Sequence, residues 1–245
     1  MRPVAESRGM QITQTLDGAQ RRLLKLAGSL MLGGFLMFTI ATQFHAHGHE
    51  DDHAVIFAKY AESHGWAAVH FAQFAGVLIA LGGFAVLARL LQLRGDVPML
   101  AKWALGATIA TAAVYAVLQA VDGVALKQNV DAWIAAHGTE RSTRFATAET
   151  TRWFEWGLQA YYRLLLGLTL ALFGIAAARA RIIAAWLGAA GVLAGLVFAA
   201  IGIAVGESGL EQPGDSVFSL LVVTFAGGIL AAGLRARDRT AVATA

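Results

Sequence analysis

The chain has 245 residues, 57% of them hydrophobic and only 14% charged, with a formal net charge of +3 and no cysteine. A soluble domain carries roughly 25% charged residues, so that class is excluded, and the missing cysteine excludes disulfides, thiolate metal ligands and thiol catalysis. The positive balance does not point to nucleic acid, because the basic residues are dispersed at helix ends and form no stripe.

The apolar residues come in long blocks. Blocks of about 20 residues are the length that crosses ~30 Å of hydrocarbon as a helix. A transmembrane barrel would show alternating segments of about 10 residues instead. The fold class is therefore all-α: a polytopic membrane protein built as a six-transmembrane-helix bundle.

Residues 1–22 read as a polar N-terminal tail. Arg21, Arg22 and Lys25 flank the first apolar run, 23–44. That run is too long for the apolar region of a signal peptide and lacks a small-x-small cleavage site, so it reads as the first span. A loop from His45 to Gly65 follows. The second span covers about 66–93. Pro98 opens the third, about 99–121, at a position where the missing N–H does no harm. Residues 122–152 read as the longest loop. Within it Val130, Trp133, Ile134 and His137 have helical spacing, with Gly138 as the C-cap of a short interfacial helix. The last three spans are about 153–178, 182–205 and 216–234. Residues 235–245 form a C-terminal tail. No 3+3 repeat and no pair of broken helices is visible, so the inverted-repeat signature of transporters is absent.

The positive-inside rule orients the bundle. The two tails and the turns after the second and fourth spans hold 13 of the 19 Lys and Arg residues. Both termini are therefore expected in the cytoplasm, with the His-rich loop outside. Small residues in the fifth span (Gly188, Gly191, Gly195, Ala199) and the sixth (Gly227, Gly228) let helices approach closely. They serve packing inside the bundle or the seam of a homo-oligomer.

Six of the seven histidines lie between Gln43 and Gln73. His45, His47 and His49 are spaced by two, and His49 and His53 by four, beside Glu50, Asp51 and Asp52. Imidazole suits Zn, Cu and Ni, so the loop either binds a divalent metal or is simply a solvated His-rich segment. His49-Glu50-Asp51-Asp52-His53 is a literal HExxH. That motif needs a helix to aim both histidines at zinc, and a Gly-led acidic loop is poor context for it.

Polar groups inside the spans are costly and mark sites. His70 and Gln73 share a stripe on the second span, Tyr115, Gln119 and Asp122 on the third, and Glu155, Gln159, Tyr162 and Arg163 on the fourth. All approach the same end of the bundle, while the other end has almost none. Arg163 keeps its proton, so Asp122 or Glu155 is expected to neutralise it. His70 reads equally as a metal ligand, a proton acceptor or a plain hydrogen-bonding residue. Purely structural helix-to-helix bonding also explains the set.

The stretch Tyr162-Arg163-Leu164-Leu165-Leu166-Gly167, with the Arg179/Arg181 turn and Trp186-Leu187-Gly188 and Gly191 beyond it, resembles a loosely defined group of bacterial six-helix membrane proteins filed as domains of unknown function. The resemblance implies a bacterial inner-membrane protein and carries over no catalytic residue. Three functions fit: a polar pocket that binds or handles a small solute or divalent metal, an integral-membrane enzyme acting on a lipid or quinone, or a scaffold subunit with no ligand.

Overall fold

The computed structural model describes residues 16–236. They form α1 (Gly18–Thr42), α2 (His53–Glu62), α3 (Trp66–Arg94), α4 (Pro98–Ala120), a π-helical segment (Val121–Leu126), α5 (Lys127–Ala135), α6 (Gly138–Arg179), α7 (Ala185–Ser208) and α8 (Asp215–Arg235). Six helices are long and apolar enough to cross a membrane, so the chain is a multi-pass membrane protein. Large apolar side chains such as Leu36, Phe71, Trp103, Ile109, Trp186 and Leu220 point outward, as a lipid-facing surface requires.

The spans form a ring. Each of α1, α3, α4, α6, α7 and α8 packs on the span before and after it, and α8 closes on α1. Glycines set the closest crossings. A Cβ on Gly167 of α6 would fall 2.5 Å from the Gly195 carbonyl of α7, and one on Gly174 would fall 2.6 Å from the Gly188 carbonyl. Gly191 and Gly228 lie similarly against Phe225 and Leu187. Gly188, Gly191, Gly195 and Gly228 are thus spent inside the chain, while a Cβ on Gly227 would meet nothing within 4 Å. Phe84 and Phe173, 5.1 Å apart between centroids, fill the ring's interior.

The spans differ from expectation in length. α4, the π-helical segment and α5 run on as one 38-residue helix, and α6 has 42 residues. At 1.5 Å per residue α6 is about 63 Å long, twice the hydrocarbon thickness. Residues 122–152 are therefore helical almost throughout, not a long loop. Hydropathy locates only the part of a helix that sits in lipid. The polar turns at 139–152 carry on in water, supported by the Glu140–Arg144 pair and by Thr150 and Thr151 hydroxyls that donate to carbonyls four residues back. Gly138, with φ of +56°, makes the turn into α6 instead of capping α5, which ends at Ala135.

Both tall helices rise beyond the bundle at its His-rich end. There α2, absent from the sequence reading of the first loop, packs on α5. Ile56, Phe57 and Tyr60 join Trp66, Leu126, Val130, Trp133 and Ala148 in a second apolar core. Asp52 caps α2, its carboxylate accepting from the Val55 amide at 3.2 Å. This cap of helices covers the region where the polar residues gather.

Candidate functional site

Three residues from three segments meet beneath this cap. His70 lies one turn into α3. Its Nδ1 is 2.8 Å from the Trp66 carbonyl. A carbonyl only accepts, so Nδ1 carries a proton, and Nε2 faces Asp122 as a lone pair in the neutral ring or as a second N–H in the imidazolium. His45, just past α1, has the same arrangement: its Nδ1 is 2.8 Å from the Ala46 carbonyl. Asp122 sits in the π-helical segment, where an extra residue in the turn re-aims side chains. Trp66 Nε1 donates to the Asp122 carbonyl at 3.3 Å and fixes this segment against α3.

One ligand atom from each of His45, His70 and Asp122 lies within 4.8 Å of the other two. His70 Nε2 stands 3.2 Å from Asp122 Oδ2. The approach is not aligned as a hydrogen bond, and both Nε2 and Asp122 Oδ1 are buried without a partner. An imidazole lone pair facing a carboxylate is repulsive unless a proton or a cation lies between them. His70 and Asp122 are 3% and 6% exposed, so bulk solvent does not screen the pair. Burial holds the His45 imidazole below its ordinary pKa, against the opposing pull of Asp122, and so favours its neutral form.

Aromatic rings wall the three residues. Trp66 lies 4.4 Å from the His70 ring and 5.0 Å from the His45 ring, and Tyr60 lies 4.4 Å from Trp66. Burial raises the Tyr60 phenol above its usual range, with Arg152 opposing, so the phenol remains a donor. Gly123 faces His70 directly: a Cβ there would fall 2.8 Å from the His70 Cβ.

A buried guanidinium holds the loop over this centre. Arg152 is 1% exposed and bonds Glu155 through Nη1. Its Nη2 donates to Glu50 Oε2 at 2.6 Å and to the Glu50 carbonyl at 3.1 Å. Tyr60 donates to the same Glu50 oxygen at 2.6 Å. Asp51 accepts from the Leu210 amide and Lys59 donates to the His47 carbonyl. The loop is thus pinned on both sides, five residues from His45.

The other residues singled out from sequence fall elsewhere. Gln73 donates to Thr42 and ties α3 to α1. Gln119 donates to the Tyr115 hydroxyl at 2.9 Å, and Tyr115 lies against Tyr162, 4.6 Å between centroids. Arg163 is not neutralised by Asp122 or Glu155. Asp122 faces His70 and Glu155 is taken by Arg152, eleven residues earlier on the same helix, so Arg163 bonds the Gln159 side chain at 2.7 Å and lies over Phe198. Of the loop histidines only His45 reaches the centre. His47 is exposed. His49 is 85% exposed in its side chain and 3.8 Å from Glu211. His53 is turned to Glu149 at 2.9 Å. The HExxH segment is not built as a zinc helix, because α2 begins only at its last residue and Glu50 serves Arg152.

Sequence reasoning missed Arg152, which it left in a loop, and Gly123. The signal for Arg152 was its i,i+3 spacing to Glu155. No family model matches this chain, and neither curated proteins nor solved structures give a match.

Proposed function

We propose that this membrane protein holds one divalent transition-metal ion between His45, His70 and Asp122. The observation that carries the reading is the convergence of two imidazoles, each with its Nδ1 held by a backbone carbonyl, on the Asp122 carboxylate, with one ligand atom of each of the three residues within 4.8 Å of the others. That second-shell pattern orients metal-binding histidines and fixes their tautomer. The ion would take the place of the proton that otherwise joins His70 Nε2 to Asp122. Two nitrogens and one oxygen suit Zn, Cu or Ni. Bonds of about 2.1 Å place ligand atoms about 4.2 Å apart at most, close to the spacing of a set whose atoms lie within 4.8 Å of one another.

Three protein ligands leave a coordination position open, the arrangement of a reactive or ligand-binding centre as opposed to a purely structural one. A resident ion fits better than cargo. Toward the other end of the bundle the buried polar side chains among the described residues are Thr108, Thr111 and Thr169, whose hydroxyls bond their own helices or one another. They give a cation no stepping stones. The distribution of Lys and Arg further argues that the centre faces the extracytoplasmic side of the membrane.

Elemental analysis of detergent-purified protein tests this. About one metal ion per chain is expected, lost in His70→Ala and Asp122→Asn and kept when His47, His49 and His53 are replaced together. Metal that disappears only with the triple variant, or metal absent from all samples, overturns the reading.

A further inference from the structure

We infer that Arg163 anchors a second site, independent of the metal reading, that holds a phosphate group, carried by a lipid head group or as the free ion. Arg163 is on α6, a membrane-crossing helix, and is partly buried. Among the described residues no carboxylate forms an ion pair with it: Glu155 is held by Arg152 and Asp122 faces His70. Asp215 attracts it only at a distance, from an exposed place in the first turn of α8, where the helix dipole already favours a negative charge. A guanidinium keeps its proton, and a charge inside a membrane bundle is costly without a counter-charge in contact. The described residues supply none, so the geometry calls for an anion from outside.

One edge of the guanidinium is fixed and the other is free. Nη1 donates to the Gln159 side chain at 2.7 Å, and the cation lies over the Phe198 ring, 5.7 Å from its centroid. Phe198 in turn stacks on Phe218 at 3.8 Å. Nε is enclosed without an acceptor, whereas Nη2 beside it has no acceptor and is open. An anion is met first at Nη2, and a small turn of the long side chain brings in the Nε–H on the same edge. Those two parallel donors are the fork that matches the oxygens of a phosphate. The depth also fits. Gly202, where an added Cβ would fall 2.9 Å from the Arg163 Cβ, lies six residues before the end of α7, about 9 Å. Phe218 is in the first turn of α8. Both helix ends belong to the His-rich side, where Asp51 accepts from the Leu210 amide. Arg163 is thus near the head-group layer and the water of that side, and basic pockets between spans at this level hold lipid phosphates.

The test uses the full chain in a non-ionic detergent, with bound ligand read by native mass spectrometry. Dioleoylphosphatidylglycerol, dioleoylglycerol (the same chains without phosphate) and inorganic phosphate are titrated separately. Saturable binding of one phosphatidylglycerol or of one phosphate ion supports the inference, and which of the two is held names the source. Arg163→Gln is expected to weaken that binding about tenfold, and Arg163→Lys, which keeps the charge and loses the fork, about threefold. Gln159→Glu is close in shape to the native side chain and puts a carboxylate where Nη1 already meets an amide oxygen, so it decides the question even if the arginine variants do not fold. Its internal counter-charge should replace the external one and weaken binding by about tenfold or more. Binding unchanged in Arg163→Gln or in Gln159→Glu, dioleoylglycerol bound as well as phosphatidylglycerol, or no binding of either phosphate compound overturns the inference.

Discussion

His70 commits one ring nitrogen to the Trp66 carbonyl and leaves the other beside Asp122. Removing that nitrogen with His70→Ala should abolish stoichiometric metal while the bundle still folds, read as metal content against an unchanged helical spectrum. Gly123→Ala tests the same ring without touching a ligand. The new methyl would lie 2.8 Å from the His70 Cβ, and overpacking of this kind costs about 1–3 kcal/mol. Metal affinity should fall by tenfold or more, and an affinity equal to wild type would contradict the packing described here. His45 adds a pH dependence. Burial lowers its pKa in the folded loop, so below its ordinary value the unfolded loop binds more protons than the folded one. Its contribution to docking is complete above about pH 6.5 and is lost as pH falls toward the lowered folded value. In metal-free protein, proteolysis at 43–52 should rise on going from about pH 7 to about pH 5, and His45→Gln should flatten that rise. His70 and Asp122 were legible in the sequence because a polar group in an apolar span has few other reasons to be there. His45 was not separable from His47, His49 and His53. All four sit in one polar loop, and which one turns inward depends on a bond between Glu50 and Arg152, 102 residues apart.

That bond makes the loop and α6 one working unit. Arg152 is surrounded by Glu50, Glu155 and the Tyr60 ring, and breaking a buried pair from one side costs about 3–5 kcal/mol. Arg152→Ala is therefore expected to free the loop, expose 43–52 to protease and weaken metal binding at least tenfold, although Arg152 is not itself a ligand. A variant that loses neither loop protection nor metal would refute the link. The same arginine explains why the partner expected for Arg163 was wrong. A carboxylate takes the nearer guanidinium, and Arg152 at i−3 reaches Glu155 where Arg163 does not. The π-helical segment had no sequence signature beyond Gly123, because a one-residue insertion into a helix leaves the hydropathy pattern intact. The polar first turns of α6 were hidden for the opposite reason: their helix lies in water, where an apolar-block reading sees a loop.

At the scale of the whole molecule the ring of six spans gathers its buried His, Asp, Glu and Arg side chains at one end and apolar packing at the other. The number of spans and their order followed from block length alone. The ring closure of α8 on α1 did not, since small-residue faces fit an oligomer seam as well as an internal one. The α6–α7 seam is the place to test the architecture. Gly195→Leu puts a branched side chain against the Gly167 carbonyl and Ala171, and should destabilise the bundle by about 1–3 kcal/mol or more, seen as a lower unfolding temperature in detergent. Gly227→Leu, with nothing within 4 Å of its added Cβ, should leave it unchanged. Equal effects of the two would mean that α7 and α6 do not cross there.

X-ray absorption at the metal edge of the purified protein reads the ligand set of the proposed ion most directly. Two imidazole scatterers with one or two further oxygen neighbours, reduced to one imidazole in His45→Ala, is the predicted result. A spectrum with no imidazole scattering, or one unchanged by His45→Ala and by His70→Ala, would contradict it.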